Sequence, residues 1–249
     1  MSPVADTVSV VAMTHRGAVR SHNEDTVAIG SWLCCKDLQR PMSFTFQLAE
    51  HETLPCLVAD GLGGHNAGQL ASHLAAHSLI LDLWGIDAEG LQERVAASVR
   101  SANRVVYARM QDDSQLAEMG STVAGVVLAH EELSVFNVGD SRVYRWQDGF
   151  LCQLTTDDVP ESEVRTGLIL QSLGGSSEFI DVDPHVVHEK WLSGRRYLIC
   201  SDGLYEAVPL EAIETALREP LLTAAESLFE QAMAAGAADN VSLVLIERA

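Results

Sequence analysis

Short apolar runs that stop at glycine and aspartate constrain this chain more than any other feature. CLVADGLGG (56–64), FNVGDS (136–141) and YLICSDG (197–203) are the plainest cases. Such runs are too short for a buried helix and are bounded by turn residues, so each reads as a strand ending in a turn. Each also leaves a carboxylate at the strand end: Asp60, Asp140 and Asp202. Two more segments repeat the pattern in mirror image. RSHNED places Glu24 and Asp25 just before an apolar run, and AADNVSLVLIE does the same with Asp239.

The rest of the chain fits around these runs. Residues 7–13, 26–32, 54–59, 121–129, 133–138, 142–146, 151–154, 182–187, 197–200 and 241–247 read as strands, with 43–48 as an edge strand. The four strands of 121–154 are separated only by HEE, GDS and QDG, which describes an antiparallel meander. Helical spacing appears over 67–84, through Leu70, Leu74, His77 and Leu81, and over 88–110, through Leu91, Val95, Val99 and Val106. Two shorter amphipathic helices fall near 209–218 and 222–235. Strand runs alternating with helix pairs indicate an α+β, layered fold. No linker or repeat divides the chain, so residues 1–249 read as a single domain.

Composition narrows the partners. With 249 residues, 47% of them hydrophobic, the chain can bury a substantial core. A net charge of -19 argues against nucleic acid or an anionic membrane. It suits a protein that attracts cations, although a solvated acidic surface accounts for such an excess equally well. The five cysteines, at 34, 35, 56, 152 and 200, are odd in number and form no C-x-x-C pair. Cys56 and Cys200 lie in apolar runs and read as small core residues. These features, with no apparent signal peptide or membrane span, indicate a cytoplasmic protein.

Taken singly, Asp60, Asp140, Asp202 and Asp239 each also read as ordinary turn or cap residues. Together with the NED pair they suggest an all-oxygen ligand set. In the absence of a Cys/His cluster, that set favours magnesium or manganese over zinc. Arg20, four residues before Glu24, offers a planar fork for a phosphate, or is simply a surface arginine. His22 and His65 are candidate proton donors. Ser121, Thr122 and Ser201 lack the G-x-S-x-G elbow of a serine nucleophile, and GLGGHNAG lacks the lysine and spacing of a phosphate-binding loop.

The ordered segments resemble the metal-dependent serine/threonine protein phosphatases of type 2C (the PPM family), in their bacterial branch. The matching stretches are RGAVRSHNED from Arg16, VADGLGGH from Val58, GST from Gly120, VGDSRVY from Val138, LTTDD from Leu154, CSDGL from Cys200 and DNVS from Asp239. The resemblance implies a sandwich of two antiparallel β-sheets flanked by pairs of α-helices, four layers in the order αββα. It also implies two Mn2+ or Mg2+ ions, with a weaker third. Asp60 would bridge the pair, Asp202 and Asp239 would hold the first ion, and Glu24 and the Gly61 carbonyl the second. Asp140 with Asp202 would hold the third. Asp25 would orient a bound water, and Arg20 would clamp the substrate phosphate. The implied reaction is direct attack of a metal-bridging hydroxide on phosphoserine or phosphothreonine, without a phosphoenzyme. The implied partners are phosphorylated proteins, including a cognate kinase or its substrates, and the enzyme would act as a monomer.

Three departures from the family pattern bear on specificity. Leu62 stands where eukaryotic members carry a histidine. The flap segment, near 155–173, is short and reads LTTDD without the usual following histidine. Residues 31–53 are longer than usual. The competing readings are a pseudophosphatase that binds phosphoproteins without turnover, and a phosphatase of a sigma-factor regulatory partner. Bacterial relatives serve growth control or type VI secretion.

Overall fold

The computed structural model describes residues 6–64, 66–161 and 167–248; His65 lies outside them. The chain opens with β1 (Asp6–His15), β2 (Thr26–Ile29), β3 (Trp32–Cys34), β4 (Met42–Leu48), β5 (Leu54–Ala59) and the two-residue β6 (Gly61–Leu62). Helices α1 (Asn66–Leu83) and α2 (Leu91–Gln111) follow. Then come β7 (Gly120–Ser121), β8 (Val123–Leu128), β9 (Glu132–Val138), β10 (Arg142–Gln147), β11 (Phe150–Gln153), β12 (Leu173–Gly174), β13 (His185–Lys190) and β14 (Arg196–Cys200). Helices α3 (Asp202–Tyr205), α4 (Leu210–Ala216) and α5 (Leu221–Ala234) lead to the last strand, β15 (Val241–Arg248).

Two six-stranded sheets result, ordered β11-β10-β14-β15-β1-β4 and β13-β9-β8-β5-β2-β3, with β12-β7-β6 as a small third sheet. Strand periodicity sorts their side chains between cores. In β5, Leu57 and Ala59 pack toward α1 and α2, while Leu54, Cys56 and Val58 face the opposite sheet. In β15, Leu243 and Leu245 pack toward α5, while Val244 and Ile246 enter the space between sheets. Both faces of these strands are covered, which is why their sequences are continuously apolar. Helix α2 buries Leu91, Val95, Val99, Ala102, Val106 and Met110, a single stripe at helical spacing. Three cores therefore separate four layers, as the sequence implied. Among the described residues no helix is long and apolar enough to cross a membrane.

The structure corrects several local expectations. Residues 26–32 are not one strand. The chain reverses at Gly30-Ser31, where Gly30 takes φ 55°, and Ile29 pairs with Trp32. Positive φ at the first position of a two-residue hairpin turn is readily supplied by glycine. The meander over 121–154 is also broken. β9 pairs with β8 and β13, whereas β10 pairs with β11 and β14 in the other sheet. The turn Gly139-Asp140-Ser141 is therefore a crossover between sheets, made with Gly139 at φ 95°. The strand expected at 182–187 begins only after Pro184.

Residues 31–53 supply β3 and β4, the edge strands of opposite sheets. Trp32 meets Phe44 with ring centroids 4.9 Å apart, and Phe46 meets Trp84 at 6.1 Å. These aromatic contacts close one open side of the sandwich.

Leu57 is fully buried between β5 and the helices, and Phe150 is largely exposed. Leu57→Ala is expected to cost about 2–5 kcal/mol in denaturant unfolding, and Phe150→Ala less than about 0.5 kcal/mol.

Candidate active site

Strand register gathers the acids. Thr26 of β2 lies opposite Ala59 of β5, so Asp25 and Asp60 are the next residues out at one end of that sheet. Arg142 lies opposite Cys200, which sets Asp140 and Asp202 beyond the matching ends of β10 and β14. Cys200 lies opposite Leu243, so Asp239 leads into β15 at the same end. Arg20, Glu24, Asp60, Gly61, Asp140, Asp202 and Asp239 line one cavity of about 350 Å3. Asp25 is fully buried beside them. His22, the other candidate proton donor, is exposed and is not among the residues lining the cavity.

Residues not singled out in the sequence hold this arrangement. Asn240 is the central one. Its side-chain oxygen accepts the Glu24 N–H at 2.8 Å, and its amide donates to the carbonyls of Arg16 at 3.1 Å and His22 at 3.0 Å. Ser72 donates to the Glu24 carbonyl at 2.6 Å. A Cβ on Gly68 would lie 2.1 Å from Glu24 Oε2, so the carboxylate rests against the first turn of α1 only because residue 68 is glycine. The positive end of a helix favours a carboxylate there. Glycine inside a helix costs about 1 kcal/mol relative to alanine, and that cost was the available signal.

The crossover turn is clasped from two sides. Tyr205 donates its hydroxyl to the Asp140 carbonyl at 3.0 Å. Arg142 stacks 3.7 Å from the Tyr205 ring and pairs with Asp157 at 2.6 Å. The candidate nucleophile hydroxyls are engaged in support. Ser121 donates to the Asp60 carbonyl at 3.0 Å, Thr122 and Ser141 share a bond of 2.8 Å, and Ser201 donates to Asp25 Oδ2 at 2.9 Å.

The electrostatics are strained toward negative charge. Burial, then the charges of Asp25, Asp202, Asp239 and Asp140, push the Asp60 carboxyl well above its ordinary value. Burial and the neighbouring acids, Asp140 first, push Asp202 up to about 7. Burial raises Asp25 to about 6 against the pull of the Ser242 and Ser201 hydroxyls. Asp25 Oδ1 and Asp202 Oδ1 are buried with no hydrogen-bond donor. Arg20 donates to Asp239 at 2.6 Å, pairing two residues to which the sequence reading gave separate tasks. An all-oxygen set of this charge, with orphaned buried oxygens, fits hard divalent cations. Among the described residues no group of three or more His, Cys, Asp or Glu side chains is already arranged to hold a metal ion.

A layered sandwich with an acidic, arginine-bearing cavity at the strand ends matches known proteins. The family described as Protein phosphatase 2C matches residues 29–244. The chain is 32% identical to the serine/threonine protein phosphatase PstP of Mycobacterium tuberculosis, over 99% of this chain and 46% of that protein. It therefore spans about half the length of that relative. It is 29% identical to the serine/threonine phosphatase stp of Listeria monocytogenes over 94% of each. The crystal structure of the PstP catalytic domain in complex with two manganese ions superposes with a TM-score of 0.76 and 32% identity. It covers 97% of this chain and 98% of that one. The chain belongs to the protein phosphatase 2C family.

Between about pH 4 and 7 the folded protein, with Asp25 and Asp202 raised from 3.8, binds more protons than the unfolded chain. These two groups therefore make stability fall as pH rises through that window. Chelator-treated protein is expected to melt lower at about pH 7.5 than at about pH 5.5. Asp60→Asn should raise the metal-free Tm at about pH 7.5 by roughly 2–8 °C, by removing a buried carboxyl from a cluster of like charges, and abolish the rise caused by manganese. A lower Tm in the chelated variant, or a manganese response like that of the parent, contradicts this account.

Proposed function

We propose that this chain is a catalytic domain that hydrolyses phosphoserine and phosphothreonine in proteins. The observation that carries the reading is the convergence of Glu24, Asp60, Asp140, Asp202 and Asp239 on one cavity that also holds Arg20. Family membership supports the same chemistry, and the manganese in the PstP structure supports the same cofactor.

In this reading Asp60 is shared between two divalent ions, manganese or magnesium. Asp202 and Asp239 complete one ion's ligands, and Glu24 and the Gly61 carbonyl complete the other's. Asp140 and Asp202 serve a weaker third. When bound, the ions supply Lewis acidity and a water acidic enough to attack phosphorus at neutral pH. The chain's own groups do the rest. Arg20 exchanges Asp239 for the phosphoryl oxygens and neutralises the charge that grows on them. Asp25, buried behind the cavity and fixed by Ser201 through one oxygen, would orient a bound water from there. Leu62 cannot protonate the leaving alkoxide, so that proton comes from a bound water or from another group in the cavity. The acids must stay ionised, so acid pH opposes loading and activity.

The partners are phosphorylated proteins, and the enzyme opposes a bacterial Ser/Thr kinase in the cytosol. Free cysteines throughout are consistent with that compartment. The genes that neighbour its own would distinguish growth control from type VI secretion.

The test is phosphate release from a phosphothreonine peptide with and without manganese. Release should depend on the metal. Asp60→Asn and Asp202→Asn should each lower kcat/KM by a factor of about 100 or more. Arg20→Ala should lower it by roughly 10–100-fold through loss of a charged contact. Full activity in either aspartate variant would sink the proposal.

A further inference from the structure

The cavity has two chemically different linings. Acids and Arg20 come from the strand ends, whereas Leu62, Val159, Pro160, Leu168 and Ile169 form an apolar portion. Val159 and Leu168 leave 38% and 61% of their surface open. An exposed leucine alone means little, but these residues share one cavity with the acids and are held there. Asp158, itself buried, ties the base of the loop that carries four of them. Its N–H donates to the Gly139 carbonyl at 3.0 Å, and its own carbonyl accepts the Leu170 N–H at 2.7 Å. Its carboxylate accepts from the Gly139 N–H and from Gln171 Nε2, and pairs with His185 Nε2, each at 2.9 Å. The loop thus begins and ends on one residue, which is bonded in turn to the crossover turn bearing Asp140. A volume of about 350 Å3 falls in the range of sites that enclose a drug-sized molecule, more than a phosphoryl group needs.

We propose that this apolar lining is a subsite for a bulky apolar side chain next to the phosphorylated residue. The substrates are then phosphoprotein segments with leucine, isoleucine, valine, methionine or phenylalanine flanking the phosphoserine or phosphothreonine. The proposal rests on the phosphatase reading and deepens it. Continuity of the lining with the acidic cavity is what selects a phosphorylated segment as the occupant. Burial of one leucine-sized group is enough for roughly tenfold discrimination or more.

The experiment uses phosphothreonine peptides in a Gly/Ser background, carrying either leucine or serine at each of the two positions on either side of the phosphoresidue. N-acetyl-phosphothreonine amide serves as a substrate without neighbours. With manganese, leucine in at least one position should raise kcat/KM about tenfold over serine. The double variant Val159→Ser, Leu168→Ser should reduce that preference to about twofold and leave hydrolysis of the short substrate within about twofold of the parent. Equal kcat/KM for leucine and serine peptides at every position overturns the subsite, as does an equal loss on all substrates in the variant. If no substrate at all is hydrolysed, the phosphatase reading fails and binding of the same peptides, measured by fluorescence anisotropy, decides the subsite. Tighter binding of a leucine peptide that the double variant loses supports it; equal binding overturns it.

Discussion

Antiparallel register forces like charges together at one end of this sandwich, and much of the surrounding structure answers to that. Asp25 and Asp60 extend paired strands of one sheet, Asp140 and Asp202 extend paired strands of the other, and Asp239 enters β15 beside them. Their backbone positions cannot move apart without breaking the ladders that precede or follow them. The hydroxyl of Ser201 on Asp25, the backbone N–H of Asn240 on Asp239 and the first turn of α1 beside Glu24 each stabilise part of the negative charge. One cation, Arg20, reaches Asp239. What these groups leave uncompensated is the affinity of the site for divalent cations.

The strand ends were legible because period-two apolar patterns and Asp-Gly punctuation are local signals. So were the two long helices and the closing strand. What local pattern does not carry is the sheet to which a strand belongs. β9 and β10 each read locally as a strand, and nothing in either run says that the chain changes sheets at the turn between them, which Gly139 makes at positive φ. The short helix α3 was missed because Asp202 and Gly203 resemble a turn. Asn240, Ser201 and Gly68 were passed over as supports for a similar reason: a polar residue in a loop, or a small one in a helix, says nothing alone about what it touches far along the chain. The acids were found by chemistry, and their scaffold only by contact.

The segment after β11 takes on a definite place in this picture. Asp157 reaches Arg142 and, through it, Tyr205 and the Asp140 carbonyl. Asp158 holds both ends of the loop that lines the cavity with apolar side chains. One dipeptide therefore couples the placement of a candidate ligand to the shape of the surface a substrate meets. The stretch 31–53 lies elsewhere, closing an open side of the sandwich through Trp32, Phe44 and Phe46.

The claim that uncompensated carboxylates define this site is tested most directly by counting manganese ions bound per chain, together with the protons released on binding. The account predicts at least two ions at about pH 7.5. It also predicts proton release that is larger at about pH 6, where Asp202, pushed up to about 7, still holds its proton, and that shrinks as pH rises. Binding of fewer than two ions, or binding without release of protons at the lower pH, would contradict it.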